Sequence, residues 1–153
     1  FLTGLPNRRY FFEKVETHQK HKPQRQALAI LDIDHFKAIN DTYGHDCGDY
    51  SLKEIAKLVA FHFADFTAAR FGGEEFCVYF ANQDPSHAHQ ALEQFRTALA
   101  TKVFKFEKNT FHCTVSIGLT HQTKDGISGM IRLADKHLYL AKNNGRNQIA
   151  TDC

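Results

Sequence analysis

The sequence has few of the features that mark membrane proteins and polyanion-binding proteins. None of its apolar runs approaches the roughly 18 residues that a transmembrane helix needs, and its first residues show no signal-peptide pattern. The 19 Lys and Arg residues nearly balance the 17 Asp and Glu residues, whereas nucleic-acid-binding domains usually carry a basic excess. We therefore expect neither membrane insertion nor nucleic-acid binding.

The sequence also lacks paired cysteines. Its four cysteines are Cys47, Cys77, Cys113 and Cys153. None belongs to a CxxC pair, although disulfide scaffolds are cysteine-dense and zinc sites need closer spacing. The ten histidines include only two close pairs, which surface or core positions explain better than a metal site. Reduced thiols and a cytoplasmic location fit this composition best.

Apolar residues, by contrast, are plentiful. Of the 153 residues, 42% are hydrophobic and 14 are Phe, which is enough material for one well-packed core. The sequence shows no repeat, linker or low-complexity stretch, so we expect one domain over residues 1–153.

Hydrophobic periodicity predicts helices that alternate with strands. Helices are predicted at residues 7–20, at 46–63, from 84–85 onwards and at 129–143. Strands are predicted at residues 27–33, 67–71, 75–81, 103–106, 111–119 and 148–150. Helices interleaved with hairpins indicate an α/β (α+β) domain whose central sheet is mainly antiparallel, as in ferredoxin-like folds.

The predicted strand at residues 27–33 runs into acidic residues. Asp32 and Asp34 are two positions apart, so their side chains leave the sheet on the same face. A carboxylate at the end of a buried strand requires a cation or hydrogen-bond donors. The pair could therefore belong to a metal site, or it could be salt-bridged or cap a helix.

A second acidic segment follows two glycines, at residues 72–76. Gly72 and Gly73 permit a tight hairpin and leave space above it for a ligand. Glu74 and Glu75 would point to opposite faces of a strand, so only one of them could share a metal with Asp32. The segment could complete a Mg²⁺ site, although a polar hairpin alone would have the same sequence.

Together these segments resemble the diguanylate cyclase, or GGDEF, family over nearly the whole chain. The matching segments are residues 2–9 (LTGLPNRR), 32–49, 70–76 (RFGGEEF), 115–118 (VSIG) and 134–147. The resemblance implies a palm-type, nucleotide-cyclase-like fold. It also implies that two GTP molecules condense into cyclic di-GMP, with release of two pyrophosphates, at a homodimer interface.

The resemblance further implies a role for individual residues near the two acidic segments. Asp32 and Glu74 would hold Mg²⁺ or Mn²⁺, assisted by the backbone carbonyl of Ile33. Glu74 would also be the catalytic base, and Glu75 would contribute to catalysis beside it.

The substrate would be bound by residues on both sides of these acids. Lys37 would be catalytic, because it would neutralise charge on the transferring phosphate. Backbone amides from His35 to Lys37 would bind phosphate, and Lys142 and Arg146 would bind the β- and γ-phosphates. Guanine would be recognised by Asn40 and Asp49 with His45 beside them. Phe36 would contribute mainly by packing, and Gly72 by leaving space. Asn40 could also cap the C-terminus of a helix.

One family feature is missing from the sequence. Many members carry Arg-x-x-Asp upstream of the glycine pair as an inhibitory product site, but the corresponding residues here are Phe63-Ala64-Asp65-Phe66. We therefore expect that product inhibition through this site is lost. A sensory or regulatory domain is expected upstream, where a tether to the inner membrane could also lie.

Two other functions compete with an active cyclase. A non-catalytic GTP-binding module is the first, but the set Asp32, Lys37, Asn40, Asp49 and Glu74 is complete. A polymerase-palm relative acting on nucleic acid is the second, and the near-neutral charge argues against it.

Overall fold

The computed structural model describes residues 2–152, so Phe1 and Cys153, with its predicted free thiol, lie outside the described residues. The helices are α1 (Arg8–Lys20), α2 (Phe36–Tyr43), α3 (His45–His62), α4 (Pro85–Thr101) and α5 (Gly126–Asn143). The strands are β1 (Gln26–Ile33), β2 (Thr67–Gly72), β3 (Glu75–Ala81), β4 (Phe104–Phe106), β5 (Asn109–Phe111), β6 (Val115–Thr120) and β7 (Ile149–Thr151).

Five of the strands form the central sheet, in the order β2-β3-β1-β6-β7. The β2–β3, β3–β1 and β1–β6 pairs are antiparallel, and the edge strand β7 is parallel to β6. The predicted mainly antiparallel sheet flanked by helices is therefore confirmed. Strands β4 and β5 form a separate antiparallel hairpin.

Strand β1 occupies the centre of the sheet, and its two faces enter two different hydrophobic clusters. Leu28 and Ile30 pack in one cluster with residues of α1 and α5. Ala29 and Leu31 pack in the other with residues of α2, α3 and α4. A strand covered on both sides has no polar face, which explains why its sequence is a continuous apolar run.

The predicted order lacks one helix, α2. This helix has only eight residues, of which Phe36 and Ile39 are buried, so its apolar periodicity is too short to detect. It starts after His35, whose φ is 56°, and ends at Gly44, whose φ is 93°. Backbone conformations at both ends therefore set its limits, without a side-chain cap at the N-terminus.

The single strand predicted at residues 111–119 was wrong. Phe111 ends β5 in the small hairpin, whereas Val115 begins β6 in the central sheet. Between them, Thr114 accepts a hydrogen bond from the Asp34 amide at 2.9 Å through its carbonyl oxygen. Alternating apolar residues persist across this break because both strands face the same core, so periodicity alone could not reveal it.

Helix α5 lies very close to β6 at Gly118. A Cβ atom at this position would overlap the carbonyl oxygen of Ala134 and the backbone nitrogen of Leu138. The glycine of the VSIG segment is therefore required by helix–sheet packing. This close approach brings the C-terminal half of α5 next to the centre of the sheet.

The described cysteines, Cys47, Cys77 and Cys113, are buried and free. No helix within residues 2–152 combines the length and the hydropathy required to cross a bilayer.

Gly118→Ala should destabilise the protein, since the new methyl group meets backbone atoms that cannot rotate away. We expect a loss of about 3 kcal/mol in the free energy of unfolding, as for severe overpacking, measured by denaturant titration. Gly4→Ala is the comparison variant: its positive φ strains a side chain by about 1 kcal/mol, but the space around it is open, so its loss should be clearly smaller. Equal losses in the two variants would contradict the packing explanation.

Candidate active site

The acidic end of β1 lies beside the glycine hairpin, as the resemblance implied. Asp32 is the antiparallel partner of Glu75 in β3. One residue further, the Ile33 amide donates to the carbonyl oxygen of Glu74 at 3.2 Å. The sheet register therefore brings Asp32 and Ile33 next to Glu74 and Glu75, which lie more than 40 positions further along the sequence.

The hairpin itself is open on its outer side. Gly72 pairs with Glu75 across the strands, so Gly73 and Glu74 form the two-residue turn. A Cβ atom at Gly72 or Gly73 would meet no atom within 4 Å. Arg70, to which the sequence analysis assigned no role, donates from Nε and Nη2 to the Gly73 carbonyl oxygen at 3.0 and 2.8 Å. Arg70 thus stabilises the turn while the space above it stays open.

The prediction that Glu74 and Glu75 are successive residues of one strand was wrong. Glu74 belongs to the turn, and β3 begins only at Glu75. Cys77 and Tyr79, which alternate with Glu75 along the strand, pack on the α1 and α5 side of the sheet. Glu75 therefore shares its face with Asp32, whereas Glu74 approaches Asp32 from the turn.

Asp32 forms an ion pair with Lys142 of α5. The Lys142 Nζ atom lies 2.6 Å from Asp32 Oδ2, and the Asp32 side chain is only 11% exposed. Burial raises the pKa of Asp32, the charge of Glu74 adds to this effect, and Lys142 opposes it. The site thus holds one carboxylate whose charge depends on a neighbouring cation.

Glu75 lies in a mixed field of charges. Burial raises the pKa of Glu75, and the negative charges of Asp32 and Asp135 raise it further, whereas Lys142 and Arg8 lower it. Sequence reasoning assigned no role to Arg8 or Asp135, although both lie within segments that carry the family resemblance. Their positions on α1 and α5 explain why only the fold reveals them as neighbours of Glu75.

Asp34 has a different environment from Asp32. Its carboxylate accepts hydrogen bonds from Thr114 Oγ1 at 2.7 Å, Ser116 Oγ at 2.6 Å and the Asn147 amide at 3.0 Å. The residue is only 5% exposed. These donors satisfy a buried carboxylate, so Asp34 joins β1 to β6 and to the segment after α5.

His35 and Lys37 flank the start of α2. The His35 backbone has a left-handed conformation immediately before the helix. The Lys37 side chain is 88% exposed and its Nζ atom lies 2.7 Å from Asp41 Oδ2. Asp41 raises the pKa of Lys37 through this hydrogen bond. Lys37 is therefore near the end of β1 in sequence, but its amine contacts α2 rather than the acidic residues.

Residues assigned to guanine recognition lie where α2 meets α3. A Cβ atom on Gly48 would overlap Asn40 Oδ1, so the glycine allows Asn40 to contact α3. His45 begins α3, and Asp49 lies one turn later, both exposed. Asn40 lies within α2 rather than capping it, because Gly44 occupies the C-cap position. Phe36 is buried in the core, as its packing assignment predicts.

Lys142 and Arg146 are four positions apart, which would place them on one face of a continuous helix, but the helix ends between them. Helix α5 ends at Asn143, and Arg146 follows Gly145 in a left-handed conformation with φ of 63°. The Arg146 amide donates to the Ala141 carbonyl oxygen at 3.0 Å, which closes the helix end. Lys142 contacts Asp32, whereas the side chain of Arg146 is exposed.

Oxygen donors at the end of β1 suit a hard divalent cation. Asp32 and Glu74 carry carboxylates, and Ile33, whose amide donates to the Glu74 carbonyl oxygen, has a backbone carbonyl of its own. Within residues 2–152, no group of three or more His, Cys, Asp or Glu side chains is arranged to hold a metal ion.

Known proteins are similar to this chain in both sequence and fold. The family described as diguanylate cyclase, GGDEF domain, matches residues 1–148. Diguanylate cyclase A of Treponema denticola is 37% identical over 97% of the chain and 42% of its own length. Diguanylate cyclase DgcP of Pseudomonas aeruginosa is 40% identical over 97% of the chain and 23% of its own length. The chain thus spans less than half the length of these curated relatives.

Solved structures agree with the sequence matches. The GGDEF domain of DgcB from Caulobacter crescentus, in complex with c-di-GMP, superimposes with a TM-score of 0.93 and 31% identity, covering 99% of this chain and 93% of that one. The active GGEEF domain of a diguanylate cyclase from Vibrio cholerae gives 0.85 and 34%, covering 96% and 97%. With the family match extending over residues 1–148, the chain belongs to the diguanylate cyclase GGDEF domain family.

Proposed function

We propose that this chain is the catalytic domain of a diguanylate cyclase. It condenses two GTP molecules into cyclic di-GMP and releases two pyrophosphates. The observation that carries this proposal is the meeting of Asp32 with the open GGEEF hairpin, beside the cation of Lys142. In each half-reaction a 3′-oxygen bonds to the α-phosphorus of the other GTP, the bond to pyrophosphate breaks, and the 3′-hydroxyl loses its proton.

Asp32 and Glu74, with the Ile33 carbonyl, are the residues that would hold Mg²⁺ or Mn²⁺. Proteins commonly bind Mg²⁺ through one or two carboxylates and complete its shell with substrate phosphates and water. When bound, such an ion neutralises charge on the reacting phosphate. The Lys142 amine lies 2.6 Å from the Asp32 carboxylate and balances its charge.

Glu74 is the residue that would accept the proton of the attacking hydroxyl. It lies in the turn, where the backbone leaves open space on the outer side of the hairpin. Glu75 begins the strand on the face of Asp32, and its pKa is raised by burial first and then by the negative charges of Asp32 and Asp135. Glu75 would support catalysis by fixing the charge around Asp32 and Lys142.

The triphosphate would be bound by cations and amides from two directions. Lys142 and Arg146 come from the end of α5 and would bind the β- and γ-phosphates. Backbone amides from His35 to Lys37 lie at the N-terminus of α2, where helix amides favour anions. Lys37 would exchange its exposed contact with Asp41 for a phosphate oxygen, which costs little because exposed ion pairs are weak.

Guanine would be recognised between α2 and α3. The Asp49 carboxylate can accept from the guanine N1 and N2 donors, and Asn40 and His45 lie on the adjoining helices. Adenine lacks that pair of donors, so an ATP molecule would leave the acceptors unpaired. We therefore propose GTP as the substrate.

A homodimer would be required, because each copy supplies one GTP and the two must face each other. Regulation would come from a sensory or regulatory domain outside this chain. One relative, diguanylate cyclase SiaD of Pseudomonas aeruginosa, whose sequence is 34% identical to this chain, was solved in complex with its activator SiaC.

Conversion of GTP into cyclic di-GMP in the presence of Mg²⁺, followed by mass spectrometry, tests the proposed function. Glu74→Gln should reduce the rate by at least about 100-fold, because it removes a carboxylate that serves as metal ligand and base. Glu16→Gln, on the exposed side of α1, is the matched control and should leave the rate unchanged. Normal activity of Glu74→Gln would overturn the assignment of Glu74. A dimeric sample that binds GTP but forms no product would instead indicate a non-catalytic GTP-binding module.

We further propose that product inhibition through the upstream motif is lost. Phe63 is only 1% exposed, and Phe66 contacts Phe80 at 4.6 Å between ring centroids. Both positions that would carry the charged residues therefore contribute to the hydrophobic core. Excess GTP should relieve any inhibition that added cyclic di-GMP causes, because the product would then bind only at the active site. If inhibition persisted in excess GTP and Asp65→Ala, at the exposed centre of this segment, weakened it, the proposal would be wrong.

A further inference from the structure

The turn after α5 has an unusual backbone. Arg146 and Asn147 are consecutive non-glycine residues with φ values of 63° and 47°. Residues other than glycine rarely adopt this left-handed backbone conformation, and they keep it where surrounding contacts hold them. The contacts around this turn therefore determine where the Arg146 side chain begins.

Several hydrogen bonds hold the turn from the side of α5 and the sheet. The Arg146 amide donates to Ala141, and the Arg146 carbonyl oxygen accepts from Gln148 Nε2 at 3.0 Å. The Asn147 amide donates to Asp34 Oδ2 at 3.0 Å. These bonds hold the backbone but leave the side chain of Asn147 available for another partner.

Arg96 of α4 is that partner. Its Nη1 atom donates to Asn147 Oδ1 at 2.8 Å and to the Asn147 carbonyl oxygen at 3.3 Å. The remaining nitrogens, Nε and Nη2, pair with the Glu93 carboxylate, with Nη2 at 2.9 Å from Oε2. The Arg96 side chain is only 20% exposed. Glu93 thus orients the guanidinium, and the third nitrogen points at the turn.

This contact joins two separate layers of the domain. The buried face of α4 packs in the cluster with α3, on one face of the sheet. Helix α5 packs on the opposite face with α1. Arg96 therefore couples the layer of α4 to the segment that leaves α5, at a distance of 51 positions in sequence.

We propose that Arg96 is a positioning residue for substrate phosphate, acting through Asn147 to orient Arg146. The inference rests on the proposed function, because it assumes that Arg146 binds the β- and γ-phosphates of GTP. Arg96 itself contacts Glu93 and Asn147 and need not touch the nucleotide. Without the guanidinium of Arg96, the turn keeps its backbone bonds to Asp34 and Ala141 but loses the contacts to the side chain and carbonyl oxygen of Asn147.

Equilibrium binding of a non-reactive GTP analogue and of GMP, both with Mg²⁺, tests the inference on the whole chain. Arg96→Ala should weaken binding of the GTP analogue by about tenfold, a typical coupling between residues of one network. Binding of GMP should be unchanged, since GMP lacks the phosphates that Arg146 would bind. Arg96→Lys should resemble Arg96→Ala, because an ammonium cannot pair with Glu93 and reach Asn147 as a planar fork does.

A double-mutant cycle separates positioning from a general loss of stability. When Arg146 is already Ala, Arg96→Ala should cause little further loss of affinity for the GTP analogue. Arg132→Ala, which removes an exposed arginine paired with Asp125, is the matched control and should bind both nucleotides normally. Thermal denaturation of each variant verifies that it is folded.

Three results would overturn the inference while leaving the proposed function intact. They are unchanged affinity of Arg96→Ala for the GTP analogue, equal weakening of GTP analogue and GMP, and additive losses in the cycle. A wild-type chain that binds neither nucleotide would overturn the proposed function, and the inference with it.

Discussion

The ion pair between Asp32 and Lys142 is the constraint on which the candidate site depends. A buried strand that ends in a carboxylate requires a compensating charge, and Lys142 provides it at 2.6 Å. To do so, α5 must approach the sheet closely, and Gly118 permits that approach. One electrostatic requirement thus links the packing of α5 to the position of the two acidic segments. The same ion pair places a cation where an anionic substrate would need one.

The two aspartates at the end of β1 illustrate how neighbouring residues acquire different tasks. Asp32 has a single strong cationic partner and adjoins Glu74 and Glu75. Asp34 is saturated by neutral donors, including the Asn147 amide. A charge that is satisfied by fixed donors is suited to hold backbone segments in place, whereas a charge balanced by one flexible amine can exchange its partner. Asp34 is therefore suited to a structural role, and Asp32, two residues earlier, to binding a substrate or a metal ion.

Much of this arrangement was predictable from local sequence. The apolar run before Asp32 indicated a strand covered on both faces, and the glycine pair indicated the hairpin. Helix α2 was missed because two buried residues in eight positions give too weak a periodicity. The site as predicted from the sequence did not include neighbours such as Arg96, whose partner Asn147 is 51 positions away. Such contacts depend on how layers pack, and no local pattern in one sequence encodes them.

The near-neutral composition of the chain is compatible with the proposed anionic substrate. A few cations next to the carboxylates can balance a triphosphate locally, without a basic excess in the whole chain. This explanation requires that Lys142 stabilises the charged form of Asp32. The most direct measurement is a pH titration of the Asp32 carboxyl by carbon NMR, in the wild type and in Lys142→Met. We expect the pKa of Asp32 to be raised in the wild type and to rise further in Lys142→Met, because the variant removes the hydrogen bond and the charge that oppose burial. An Asp32 pKa that stays the same or falls in Lys142→Met would contradict the account.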